Sequence, residues 1–237
     1  CSFQGVRIDH VDGLYDPNQY LQRLRNRFPE SYIVVEKILE QSEKIPDFWP
    51  IQGTTGYDFM NFVNGLFCRK RDRSQHDKIY RRFIRYRTPY SEMLQDKKRL
   101  IIGKHMAGDV DNLAHVLAMI AGQHRYGSDF TLYGLRRALV EILTWFPVYR
   151  TYFNQYGSRD TDRSYIEETN LASKKEMPDL VREIDFICRI LCLDYDEHLD
   201  DTERDQWLHF VMRFQQLTGP VMAKSLFTGA SVIREVR

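Results

Sequence analysis

Long apolar runs are absent. The longest, around Val116 to Ala121, falls well short of the ~18 residues that cross a bilayer, so no membrane partner is expected. Cysteine is scarce: Cys1, Cys68, Cys188 and Cys192 stand at no metal-binding spacing with histidines, which argues against a zinc site. Cys188 and Cys192, four apart on an apparent helix, fit small core residues in a reducing cytosol, and a cytoplasmic location is expected. An excess of one charge is also lacking. The 34 Lys+Arg against 33 Asp+Glu leave +1, too little for a broad cationic field, so nucleic acid is not an expected partner. The local run Arg69, Lys70, Arg71 and Arg73 reads as a solvated face. Low-complexity tracts and internal repeats are missing, nothing marks a linker, and no secretory signal is expected at the start. The chain opens without Met, at Cys1-Ser2-Phe3-Gln4-Gly5 directly before a strand-like segment, as expected of a sequence that begins in mid-fold.

What is present is a folding composition. With 237 residues, 43% apolar and 28% charged, the chain can bury roughly 70 to 75% of its extended surface. Val6-Arg7-Ile8-Asp9-His10 alternates as a strand and runs into a turn at Gly13. A helix follows, with Asp16 at the N-cap, Pro17 at the first helical position, and Tyr20, Leu21, Leu24 and Phe28 along one face before Pro29. Tyr32-Ile33-Val34-Val35 is β-branched and apolar, a strand expected to be buried on both faces. Strand, helix and strand predict a parallel crossover unit.

Helical periodicity dominates the rest, near 57 to 67, 76 to 86, 90 to 123, 130 to 145, 161 to 175, 179 to 193 and 201 to 214, with breaks at Gly103, Gly108 and Gly127. Phe146 to Phe153 and Leu217 to Ala223 are weaker strand candidates, each interrupted by a proline.

Asp9 and Glu36, 27 residues apart, fall at the carboxyl ends of successive predicted parallel strands, where α/β barrels place their chemistry. Strands about 4.8 Å apart bring such carboxylates toward the ~5 to 5.5 Å separation of retaining glycosidases. Arg7 shares a strand face with Asp9 and is placed to keep it ionised, whereas apolar surroundings after Val34 and Val35 would raise the Glu36 pKa. That split suits one nucleophile and one proton donor. Salt bridging or solvation of charged strand ends is the competing explanation.

The residue strings add a resemblance. Gly5-Val6-Arg7-Ile8-Asp9-His10-Val11-Asp12-Gly13-Leu14 resembles the nucleophile strand of the α-amylase clan of glycoside hydrolases, and Val34-Val35-Glu36-Lys37-Ile38-Leu39 its acid/base strand. Trp49-Pro50-Ile51-Gln52-Gly53-Thr54-Thr55-Gly56-Tyr57-Asp58-Phe59 with Asn64-Gly65-Leu66-Phe67 is similar to the maltooligosyltrehalose synthase branch. Phe146-Pro147-Val148-Tyr149-Arg150-Thr151-Tyr152 and Gln215-Gln216-Leu217-Thr218-Gly219-Pro220-Val221-Met222-Ala223-Lys224 are similar to later landmarks of that branch, in the same order.

The resemblance implies an α/β fold, part of a (β/α)8 TIM barrel covering roughly strands four to seven, with a large helical insertion and helix dominant overall. The implied layout is residues 1–68 for strands four and five with the catalytic pair, 69–145 for the insertion, and 146–237 for later strands, helices and a divergent tail. It implies an isomerase of trehalose biosynthesis that transglucosylates maltooligosaccharides within one molecule, with Asp9 as nucleophile and Glu36 as acid/base. No cofactor or metal is implied, since carboxylates and preorganised hydrogen bonds suffice. A lidded site that excludes water is expected.

Around the pair, Arg7, His10, Lys37, Thr54, Thr55, Tyr57, Asp58, Tyr149, Arg150 and Lys224 are candidate sugar contacts. His10 fits either a hydrogen bond to a sugar hydroxyl or an orienting role. Thr54, Thr55, Tyr57 and Asp58 form a Gly-flanked polar turn, with helix capping by Thr55 or Asp58 as the alternative. Trp49 fits a sugar platform or a packed ring, and Tyr149 and Arg150 fit a cleft lining or a structural pairing. His105, His115, His124 and Glu141 lie scattered on helices and suggest no metal.

The pattern also departs from the branch. A third carboxylate is expected in a Gly-x-Glu-Asp-Thr stretch just after Met222-Ala223-Lys224, where this chain reads Ser225-Leu226-Phe227-Thr228-Gly229. Three strands of a barrel are expected before Cys1. The resulting expectation is a weakly active or inactive chain whose exposed edges associate with a complementary barrel segment or with a second copy. Another glucan hydrolase or transglycosylase of the clan, or a non-catalytic glucan-binding remnant, are the competing functions.

Overall fold

The computed structural model describes residues 4–40, 43–84, 89–124 and 127–227. The expectations for Cys1 to Phe3, for residues 85 and 86, and for the tail beyond Phe227 lie outside these residues. The chain divides into two compact units, one of residues 1–11, 18–97 and 224–237, the other of 12–17 and 98–223.

The first unit holds a parallel sheet of β1 (Gly5–Ile8), β2 (Tyr32–Val35) and β3 (Gly53–Thr54), in that order. Its register pairs Gly5 with Tyr32 through Ile8 with Val35, then Val34 with Gly53 and Val35 with Thr54. Helix α1 (Pro17–Arg27) starts at its proline as the sequence predicts, and joins β1 to β2. Along β2, Ile33 and Val35 are fully buried while Tyr32 is exposed, so one face of the strand is packed and the expectation of two buried faces is corrected. On α1, Leu21 is buried but Tyr20 is exposed, and Phe28, just past the end of the helix, is exposed too. Helices α2 (Tyr57–Leu66) and α3 (Arg73–Ile84) follow β3.

The short β3 was expected as a turn. Gln52 N–H donates to Ile33 O and Thr55 N–H to Val35 O, at 2.8 and 3.0 Å, so the open edge of β2 templates the pairing. No apolar alternation around Gly53 announces it.

The second unit is helical. It contains the later part of α4 (Tyr90–His105), then α5 (Ala107–Gln123), α6 (Leu132–Trp145), α7 (Asp160–Glu176), α8 (Val181–Leu191) and most of α9 (Asp201–Phe227). The predicted 90 to 123 helix breaks at Met106, between the two glycines expected to break it. The core joins Leu117, Leu135, Leu139, Ile142, Ile184, Ile187, Trp207 and Phe210 from four helices.

Two strand expectations are corrected here. Residues 217–223 lie inside α9, because Gln215, Leu217, Thr218, Val221 and Met222 are buried at helical spacing and Pro220 is absorbed within the helix. Residues 146–153 form no ladder. Side chains satisfy their backbone instead: Lys98 Nζ donates to Phe146 O, Thr218 Oγ1 to Tyr149 O, and Gln215 bonds both N–H and C=O of Phe153. Helix therefore outweighs strand, with the three parallel strands as the sheet among the described residues.

Candidate active site

Strands β1 and β2 end level, with Ile8 opposite Val35, and Glu36 N–H continues the ladder to Ile8 O at 2.8 Å. Asp9 and Glu36 are therefore the first residues beyond two neighbouring strand tips. Asp9 is followed by His10, whose φ of 53° is left-handed. Its backbone N–H donates to Glu36 Oε2 at 2.9 Å, while Tyr57 Oη donates to Glu36 Oε1 at 3.3 Å. The Glu36 carboxylate thus meets polar donors, where the sequence suggested apolar surroundings.

Arg7 Nε donates to Asp9 Oδ1 at 2.6 Å. Both side chains are more than half exposed, so the pair is screened by solvent, and the hydrogen bond and charge of Asp9 hold the Arg7 guanidinium above its ordinary pKa. The pair comes from alternation along one strand, two residues apart.

Beyond β3, Thr54 Oγ1 donates to Asp58 Oδ1 at 2.7 Å and accepts from Gly56 N–H at 3.3 Å. The N-cap of α2 is Gly56 at φ 93°, without a side-chain cap, so capping by Thr55 or Asp58 is not what this turn does. A backbone at φ 93° favours glycine, and Met60 N–H bonds Gly56 O to start the helix. Arg7, Asp9, His10, Glu36, Thr54, Tyr57 and Asp58 thereby gather at the carboxyl ends of the three strands.

Other candidates stand elsewhere. Lys37 is fully buried with Glu43, Nζ to Oε1 2.9 Å, pointing away from solvent because strand alternation places it opposite Glu36. Trp49 is buried, a packed ring. Tyr149 and Arg150 are buried in the second unit, and the Arg150 guanidinium donates to backbone carbonyls, the structural pairing of the two alternatives. Lys224 is exposed near the end of α9. His124 Nε2 lies 2.5 Å from Asp196 Oδ2, and Glu141 accepts from Arg99 and Trp145. Among the described residues no three metal-ligating side chains gather.

Sequence reasoning missed Arg25. Its guanidinium donates to Pro29 O, Ser31 O and Pro50 O at 2.7 to 3.0 Å and to Gln52 Oε1 at 3.0 Å, tying α1 to the approaches of β2 and β3. Its helical position among other arginines carries no signal of that role.

No family model matches the chain. Putative maltooligosyl trehalose synthases from two strains of Mycobacterium tuberculosis are 48% identical over 63 residues, which cover 26% of this chain and 8% of each relative. The solved maltooligosyltrehalose synthase from Arthrobacter ramosus superposes with a TM-score of 0.77 at 28% identity, over 96% of this chain and 26% of that one. This chain is similar to maltooligosyltrehalose synthases. A hypothetical maltooligosyl trehalose synthase from Sulfolobus tokodaii agrees, with a TM-score of 0.61 at 28% identity over 93% of this chain and 24% of its own. The chain thus spans about a quarter of the length of these solved synthases. No helix among the described residues is long and apolar enough to cross a membrane.

Proposed function

We propose that this chain carries the catalytic pair of a maltooligosyltrehalose synthase, on consecutive strands of a (β/α)8 barrel, acting on maltooligosaccharides in the cytoplasm. The observation that carries the reading is the His10 N–H to Glu36 Oε2 hydrogen bond, which ties the acid of one strand tip to the residue next to Asp9. Similarity to named synthases supports the same reaction class.

In this reading Asp9 attacks the anomeric carbon at the last α-1,4 bond, which breaks as Glu36 protonates the leaving oxygen. The released glucose stays bound. Glu36 then takes the proton from its anomeric hydroxyl, whose oxygen displaces Asp9 and forms the α,α-1,1 link. Arg7 holds Asp9, Tyr57 and the His10 amide hold Glu36, and Thr54 with Asp58 offers polar groups to sugar hydroxyls. No metal or cofactor takes part in this scheme.

One observation favours a second reading. The stretch after Lys224, where the third carboxylate of the resemblance belongs, continues helix α9 through Phe227 and offers no acid there. A glucan-binding remnant without turnover fits that departure.

Incubation with maltopentaose separates these readings. The synthase reading expects weak formation of a non-reducing product, lowered at least about 10²-fold by Asp9→Asn or Glu36→Gln. Release of glucose or maltose marks a hydrolase, and binding heat without turnover marks the remnant.

A further inference from the structure

Two motif blocks, around Phe146 to Tyr152 and Gln215 to Lys224, have no place in the chemistry above. Both converge on one short turn. Arg150 Nη1 donates to Asp12 O at 2.7 Å and to Leu14 O, and its Nη2 donates to Tyr15 O at 2.8 Å. Gln216 Nε2 donates to Gly13 O at 2.8 Å, so every carbonyl from Asp12 to Tyr15 receives a side-chain donor. Tyr152 Oη donates to the Asp12 carboxylate, and Tyr15 Oη meets His209 Nδ1 at 3.2 Å.

This is a costly way to hold an ordinary turn. Arg150 is 1% exposed, and burial pushes its pKa down against the pull of Tyr152, Asp12 and Asp16. The turn begins two residues after His10, which keeps a left-handed backbone of φ 53° without being glycine. Such a conformation persists where neighbouring structure over-determines it. The His10 amide is also the donor that reaches Glu36.

We infer that Arg150, Tyr152 and Gln216 are positioning residues, which clamp the turn Asp12 to Tyr15 and thereby hold the backbone of His10 and Asp9 in the geometry that presents the nucleophile. The inference rests on the reading of Asp9 as nucleophile. None of the three touches substrate in this role; they act through the chain that follows it.

The test is residue-resolved amide exchange by NMR on the whole chain, in Tyr152→Phe, Gln216→Ala and Arg150→Lys. Tyr152→Phe keeps the ring and removes a single hydroxyl, so it remains informative if the arginine variant folds poorly. The expected result is a roughly tenfold faster exchange at the His10 amide, with buried amides of α6 and α8 within twofold of the parent. In turnover the same variants lower kcat and leave KM for the glucan nearly unchanged. Unchanged exchange at His10 in all three variants, or equal acceleration at α6 and α8, overturns the inference. Product formation that persists undiminished in Asp9→Asn would instead sink the nucleophile reading, while the exchange experiment still decides whether the clamp holds His10.

Discussion

Single side chains in this chain divide sharply between exposed candidates for chemistry and buried structure. Lys37 and Glu36 are sequence neighbours, yet alternation sends Glu36 to the strand tips and Lys37 into a dry ion pair with Glu43. Lys37→Ala is expected to destabilise the chain by about 3–5 kcal/mol in urea titration, because it leaves a buried carboxylate without its ammonium. Another carboxylate makes a contribution that depends on pH. The hydrogen bond to His124, and then that to Arg189, hold Asp196 below its ordinary pKa. A depressed folded pKa stabilises above the unfolded value and is lost as pH falls through the folded one. Asp196→Asn should therefore lower the urea midpoint at pH 7, with the gap to the parent closing below pH ~4. At the thiols, burial raises Cys188 well above its ordinary value and Cys192 to about 11. Peptide mapping after iodoacetamide at pH 8 should find both unmodified in the folded chain and modified in urea.

Among the elements, local rules explain some ends and close packing explains others. Thr131 caps α6 by accepting the Gly134 N–H at 3.0 Å, and Thr131→Ala should cost about 1 kcal/mol in thermal or urea unfolding. Gly127, after α5, is set by proximity: an added Cβ would stand 2.6 Å from Ala121 O and 2.8 Å from Ala121 Cα. Gly127→Ala is therefore expected to cost about 1–3 kcal/mol, read the same way. Helix α9 illustrates how a local signal is overruled. Pro220 argues for a strand start or an edge, but the buried stripe on either side follows a period of 3.6, and packing of a long helix outweighs one missing N–H.

On the scale of the whole molecule, the helical unit has a continuous core, whereas α2 and α3 of the other unit leave Phe59, Phe62, Leu66, Ile79 and Phe83 exposed. Sedimentation velocity should show concentration-dependent association that persists in 1 M salt, since apolar contacts are not screened, and it should weaken in Phe62→Lys with Phe83→Lys. The sequence by itself determined the parallel pair β1 and β2, the start of α1, most helices and the positions of Asp9 and Glu36, because these follow from periodicity, capping and strand ends, which are local. Tertiary structure decided the rest: β3 exists only because β2 has an open edge to pair with, and residues 146–153 form no strand because side chains of α4 and α9 bond their backbone. Arg25 and Arg150 acquire their roles from carbonyls distant in the sequence, and long-range partners of that kind leave no periodic trace along a chain.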